Sequence, residues 1–292
     1  MSIDRLQKQI RKLKNPSMIS FCFDHNQIPP RYCADGESVA QAYGCYAKDL
    51  LTALKDIVPA VRFSFGSFCL FGAEGVSLLS ELLNFSKKQG FYVLLDAPEM
   101  WSVRQTELAA DALMGSESQW VYDGLLLACY MGSDAIKPFT EHMKNNDKDL
   151  FVVLRTANKS SQELQDLLTG SRQVYTAAAD IVKRIGERFV TKNSYSRVAA
   201  VGPATSADCL SALRTKYPSV FLLIDGFDYS GANAKNCSLA FDKLGHGAVV
   251  CATSSITAAW QNENIPNADE IALAVSTAER MKKNLNRYLT IL

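Results

Sequence analysis

An arginine and several carboxylates stand at or beside the ends of apolar runs, where they have the means to do acid–base or electrostatic chemistry. Phe91-Tyr92-Val93-Leu94-Leu95 is closed by Asp96, and Pro98, Glu99 and Trp101 follow. A continuous apolar run that stops at breakers reads as a strand buried on both faces, as in a parallel sheet. In α/β proteins the carboxyl end of such a strand is where reacting groups sit. Arg62 lies inside the run Val61–Phe65. A charge on a buried strand is costly unless paired, so Arg62 requires an acid, and Asp24 or Asp96 on neighbouring strands are the natural partners. Two readings stay open at this point: an electrostatic pocket for a polar ligand, or an ion-pair network that only closes one end of the fold.

The elements that must position these groups come in regular order. Eight strand-like runs are expected at Met18–Asp24, Ala60–Gly66, Phe91–Ala97, Asp123–Tyr130, Leu150–Thr156, Arg197–Gly202, Val220–Asp225 and Gly247–Thr253. Helical spacing of apolar residues fills the gaps over Ser38–Ile57, Glu74–Gln89, Ser102–Met114, Ser133–Lys144, Gln173–Phe189, Ser206–Tyr217 and Ala232–Leu244. An amphipathic helix precedes them within residues 1–15, and a last one spans 269–289. Strict alternation of strand and helix means a parallel sheet, and eight units favour closure into a single-domain (β/α)8 TIM barrel over residues 1–292. An open doubly wound sheet is the alternative. No G-x-G-x-x-G follows the first strand, where Asp24-His25-Asn26-Gln27 stands, and no phosphate-binding G-x-x-x-x-G-K-[ST] occurs.

In a barrel the strand ends read, in order, Asp24-His25, Arg62 and Ser64, Asp96 and Glu99, Cys129-Tyr130, and Arg155-Thr156 with Asn158. Pro203 with Thr205, Asp225 with Asp228, and Thr253-Ser254-Ser255 complete the ring. His25 could serve as an acid or base, or be an ordinary loop histidine. None of these strand ends carries a lysine, which argues against Schiff-base chemistry.

Composition narrows the class. The chain has 292 residues, 48% hydrophobic and 21% charged, with Lys+Arg 31 against Asp+Glu 30. That balance argues against nucleic acid or an anionic membrane surface as the main partner. No apolar run approaches the roughly 20 residues that cross a bilayer, and residues 1–15 are basic without a signal-type apolar stretch. The 8 cysteines include no C-x-x-C pair and no Cys/His cluster of zinc spacing. Reduced cysteines serving as small core residues are expected, with a cytoplasmic location.

Taken together, these segments resemble the orotidine 5′-monophosphate decarboxylase family, in particular its longer bacterial subgroup, from Ile3 to about Trp260. The resemblance is carried by Met1-Ser2-Ile3-Asp4-Arg5-Leu6 through Lys14-Asn15-Pro16, by Tyr130-Met131-Gly132-Ser133-Asp134 with Pro138-Phe139, and by Thr156-Ala157-Asn158 with Glu163-Leu164-Gln165-Asp166. It implies a lysine–aspartate array built from a strand-two lysine and a D-x-K-x-x-D motif after strand three. In this chain the first aspartate is Asp96, the lysine position is Pro98, the last aspartate position is Trp101, and Arg62 replaces the strand-two lysine. Proline carries no exchangeable proton, and an arginine does not deprotonate near neutral pH.

On the substrate side, Asp24 matches the aspartate that contacts the ribose, and Ala157 stands for the serine that reads the pyrimidine. The phosphate loop aligns with Asp225–Ala232, and the phosphate-clamping arginine with Ser254. Asp225 and Asp228 then face the place of a dianion, which they repel. The resemblance therefore implies Asp96 and Arg62 as a remnant array and Asp24, Thr156, Asn158, Thr253 and Ser254 as ligand-binding candidates, with no cofactor.

The leading expectation is a non-catalytic homologue acting as a binding or assembly partner, a homodimer or a heterodimer with a paralogue, because the family's sites lie at a dimer interface. An enzyme of altered chemistry, holding a divalent metal on Asp96 and Glu99, is the runner-up. A sensor of a nucleotide or sugar phosphate and an authentic decarboxylase are the remaining alternatives.

Overall fold

A computed structural model describes residues 2–22, 24–33, 36–97, 100–261 and 269–292. Eight parallel strands close into a barrel: β1 (Ser17–Phe21), β2 (Ala60–Ser64), β3 (Tyr92–Asp96), β4 (Gly124–Ala128), β5 (Asp149–Val153), β6 (Ser196–Pro203), β7 (Val220–Asp225) and β8 (Ala248–Ala252). Each strand pairs with its successor, and β1 closes on β8 through Ser17 opposite Val250. The principal helices are α1 (Ser2–Leu13), α2 (Val39–Leu54), α3 (Gly72–Lys88), α4 (Val103–Met114), α5 (Lys137–Asn145), α6 (Val174–Gly186), α7 (Ala207–Lys216) and α8 (Glu270–Asn286). The barrel expectation is met, with strand ends differing by a few residues.

A strand points alternate side chains to opposite faces, so each barrel strand feeds two cores. One set, including Ile19, Val61, Val93 and Leu95, packs outward against the helices. The other, including Met18, Ala60, Leu94, Phe151, Leu223 and Cys251, fills the barrel interior. Ile3, Leu6 and Ile10 of α1 belong to this inner cluster and are almost fully buried, so α1 plugs the amino-terminal mouth. Three polar side chains, Tyr92, Asp149 and Arg197, occupy inward positions on β3, β5 and β6 near that mouth and bond to one another (below).

Four expectations about local structure are corrected. Over 232–244 only Ala234–Ser238 is helical. Asp242 ends the run there, its carboxylate accepting from the Leu244 and His246 amides at 2.8 and 2.9 Å, a local turn that competes with the helix. Over 133–144 a 3₁₀ turn, Gly132–Ala135, precedes α5, because Pro138 suits a helix start and not its interior. A small hairpin, Leu168–Thr169 with Arg172–Gln173, was not anticipated; its turn is made by Gly170 at φ 67°. Finally, all eight cysteines are free, but only Cys209, Cys237 and Cys251 are buried, while Cys22, Cys33, Cys45 and Cys69 are exposed.

Within the helical stretch Phe65–Lys88, 24 residues long, an 18-residue window reaches a mean hydropathy of 1.3, which a helix packed on a core also attains. In the barrel its α3 portion buries Leu79, Leu82 and Leu83 against the outer core. Gly75 lets α3 approach the turn after β2: a Cβ there would lie 1.9 Å from the Phe68 carbonyl oxygen. Backbone cannot swing aside as a side-chain tip can. Gly75→Ala is therefore expected to destabilise the fold by about 1–3 kcal/mol, despite alanine's better helix propensity. Urea denaturation checks this, and an unchanged midpoint would contradict the close approach.

Candidate ligand site at the carboxyl ends of the strands

The inward register that carries Ala60 and Leu94 into the core carries Arg62, Asp96 and Asp225 to the opposite mouth. Each is two residues above an inner-core neighbour: Ala60, Leu94 and Leu223. Arg62 crosses the barrel from β2. Its Nη1 donates to Asp225 Oδ1 at 3.0 Å, and its Nη2 lies 3.4 Å from Asp96 Oδ2. The three side chains are 15, 36 and 23% exposed, respectively. Burial would lower the guanidinium pKa, but Asp225 and then Asp96 hold it above its ordinary value, so Arg62 stays a cation. Its Nε is buried without a partner among the described residues. Burial, by contrast, pushes the Cys251 thiol up and keeps it protonated just below the arginine.

A cavity of about 400 Å³ opens above this ion pair, its wall including Ser20, Cys22, Arg62, Asp225, Tyr229 and Ser254. Asp228 forms one side of it. Its carboxylate accepts from the Thr253 amide at 2.7 Å and the Ser255 amide at 3.4 Å, and from the Ser255 hydroxyl. These donors stand where β8 gives way to the helical turn Ser254–Thr257, whose first amides lack helical partners. Gly226 sets the approach of the β7 loop. It sits at φ 79°, and a Cβ would come within 2.3 Å of Ala157 Cβ on the β5 loop.

The β5 loop is itself tied down. Arg155, almost buried, grips Asp166 through two bonds of 2.7 and 2.8 Å, so the aspartate pKa falls below the usual carboxylate range and the arginine's rises. Gln165 Oε1 accepts from the Thr156 amide and hydroxyl at 2.8 and 3.1 Å. Asn158 caps the 3₁₀ turn Lys159–Glu163 with its backbone, accepting from Ser161 N at 3.2 Å.

The strand-end expectation thus holds in part. Arg62, Asp96, Thr253 and Ser254 are at this mouth, with Thr253 and Ser254 on the cavity wall. Asp24 is not the partner of Arg62. Its carboxylate turns to the Asn26 amide at 2.9 Å and caps the turn His25–Gln27, because β1 ends at Phe21, three residues earlier than expected. Arg155 pairs with Asp166 and not with the strand-end acids. Pro98 and Glu99 lie outside the described residues. Among the described residues no group of three or more His, Cys, Asp or Glu is placed to hold a metal. Ser20, Cys22 and Tyr229 were missed. The signal for the first two was the parity of Met18-Ser20-Cys22, which a continuous apolar run conceals.

No family model matches the chain. It is 30% identical over 231 residues to orotidine 5′-phosphate decarboxylase of Rhodopirellula baltica, covering 78% of this chain and 76% of that protein. To the enzyme of the same name from Clostridium novyi it is 27% identical over 288 residues, 98% of each. Among solved structures, the orotidine 5′-monophosphate decarboxylase of Plasmodium berghei superposes with a TM-score of 0.79 at 13% identity, covering 98% of this chain and 97% of that one. The Leishmania donovani OMP decarboxylase gives 0.71 at 22% identity, covering 99 and 98%.

Proposed function

Because the chain belongs to the orotidine 5′-phosphate decarboxylase family, a (β/α)8 lineage of pyrimidine biosynthesis, we propose that it is a member that does not decarboxylate orotidylate and works as a binding or assembly partner. The observation that carries this reading is the state of Arg62. It is the only cation in contact with the cavity among the described wall residues, and its charge is met by two of the protein's own acids, Asp225 at 3.0 Å and Asp96 at 3.4 Å. An anionic substrate entering the cavity would therefore meet no uncompensated cation on its described wall. The sequence adds the second half: proline occupies position 98, where a lysine would deliver the proton.

Three exposed apolar side chains support an assembly role. Leu70, Trp101 and Tyr130 are 67, 76 and 87% exposed, and they follow β2, β3 and β4, which are neighbours around the barrel. Aromatic groups left in water on adjacent rim loops are the kind that anchor protein interfaces. The partner in this proposal is a second copy or a paralogue of the same barrel. Sedimentation and co-purification from the host check it; a strictly monomeric chain that retains no related barrel would contradict it.

Catalytic failure has its own measurement. Carbon dioxide release from carboxyl-labelled orotidylate by the pure protein is expected to fall at least about 10⁴-fold below an active relative, since the general acid alone accounts for about 10²–10⁴. Turnover that Asp96→Ala abolishes would overturn the proposal.

A further inference from the structure

At the amino-terminal end of the barrel, away from Arg62, a second cavity of about 440 Å³ lies between α5 and the chain that leads from α6 into β6. Three of its wall residues are cations, Lys144, Arg188 and Arg197, against the single acid Glu141. Arg197 is the fixed one. Its side chain is 8% exposed, and its Nε and Nη2 bond to Asp149 and to the Met143 and Lys148 carbonyls. Nη1 makes no hydrogen bond among the described residues. A guanidinium locked in this way has little rotamer freedom left to lose when a ligand binds. Asp149 and Asp147 balance its charge, so the excess lies on Lys144 and Arg188, which are exposed and in no ion pair among the described residues. The rest of the wall is partly apolar: Phe189 is half-buried against the outer core, and Val190 is 46% exposed.

From this juxtaposition we propose that the cavity between α5 and β6 binds a small phosphate ester, with its apolar or aromatic group on Phe189 and Val190 and its phosphate among Lys144, Arg188 and Nη1 of Arg197. Guanidinium groups match phosphate oxygens in geometry as well as charge. Three cationic donors suit the three terminal oxygens and two charges of such an ester better than the single charge of a carboxylate. The volume falls within the roughly 300–1,000 Å³ of small-molecule sites, which combine an apolar lining with a few placed polar groups. The site shares no wall residue with the cavity above Arg62, so it stands whether or not the chain decarboxylates orotidylate.

Phenyl phosphate is the probe, titrated calorimetrically into the full chain, with inorganic phosphate and benzoate as comparisons. Phenyl phosphate is expected to bind saturably and about tenfold more tightly than inorganic phosphate, because only the ester covers Phe189 and Val190. Benzoate, with one charge, should bind more weakly than the ester. Lys144→Ala combined with Arg188→Ala removes two charged donors and should weaken phenyl phosphate at least about tenfold. Both side chains are exposed, so the thermal midpoint of that variant should stay near the parent's. Arg188→Lys keeps the charge without the planar fork and should lose less; it decides the matter should the double variant not fold. Absence of saturable binding to the parent would overturn the proposal. So would binding that the double variant leaves unchanged, which would put the ester elsewhere on the protein, or inorganic phosphate or benzoate binding as tightly as the ester.

Discussion

Arg197→Leu is expected to lower the unfolding free energy by about 3–5 kcal/mol, the range for stripping one partner from a buried ion pair. Arg197 Nε donates to Asp149 Oδ1 at 3.2 Å, and its Nη2 donates to the Met143 and Lys148 carbonyls at 2.7 and 2.6 Å. The arginine side chain is 8% exposed and Asp149 not at all, so water cannot take over the lost bonds. What remains for the carboxylate is the Tyr92 hydroxyl at 2.8 Å, with the Ser2 hydroxyl beside it.

The same variant should acquire a specific pH dependence. Burial pushes the Asp149 pKa up from 3.8 to about 7, against the lowering effects of Tyr92, Arg197 and Ser2. Removing Arg197 takes away one of those opposing effects and raises it further. Between the unfolded and folded pKa values the native state then holds more protons than the unfolded chain, so stability falls as pH rises. Arg197→Leu should therefore be clearly more stable at pH 5 than at pH 8, and the difference should exceed that of the parent. Urea titrations at the two pH values test this; an equal or reversed difference would show that Asp149 is not the group responsible.

The second large effect is expected at the other mouth. Arg62→Leu leaves Asp96 and Asp225 without their shared cation, but these side chains are 23 and 36% exposed and partly solvated. The loss should be about 2–3 kcal/mol, below the fully buried range. Asp225→Leu added to Arg62→Leu should recover part of it, with a coupling of about 1–3 kcal/mol in the double-mutant cycle. Strict additivity would mean that the 3.0 Å contact contributes nothing, and the account of a neutralised Arg62 would fail with it.

Both clusters sit on inward positions of the same strands, and this is where reading the chain meets its limit. Strand number, helix alternation and the closed barrel were legible because burial on both faces writes long apolar runs separated by helical spacing. The presence of Arg62 among apolar residues was legible as a charge in need of a partner. Its main partner was not: Asp225 lies 163 positions away on a strand that is not a neighbour of β2, and only closure of the barrel brings the two together. Asp24 looked equally suitable until β1 ended at Phe21 and the chain turned away.

Residue types and order determined the architecture, the family and the loss of a lysine at position 98, because these depend on local pattern and identity. The tertiary structure alone decided which acid neutralises Arg62, that Asp228 occupies the amides at Thr253 and Ser255, and that Tyr92, Asp149 and Arg197 share one buried network. Each of those contacts joins strands or loops distant along the chain. Their geometry follows from how eight twisted strands close into a ring, and no local stretch carries that information.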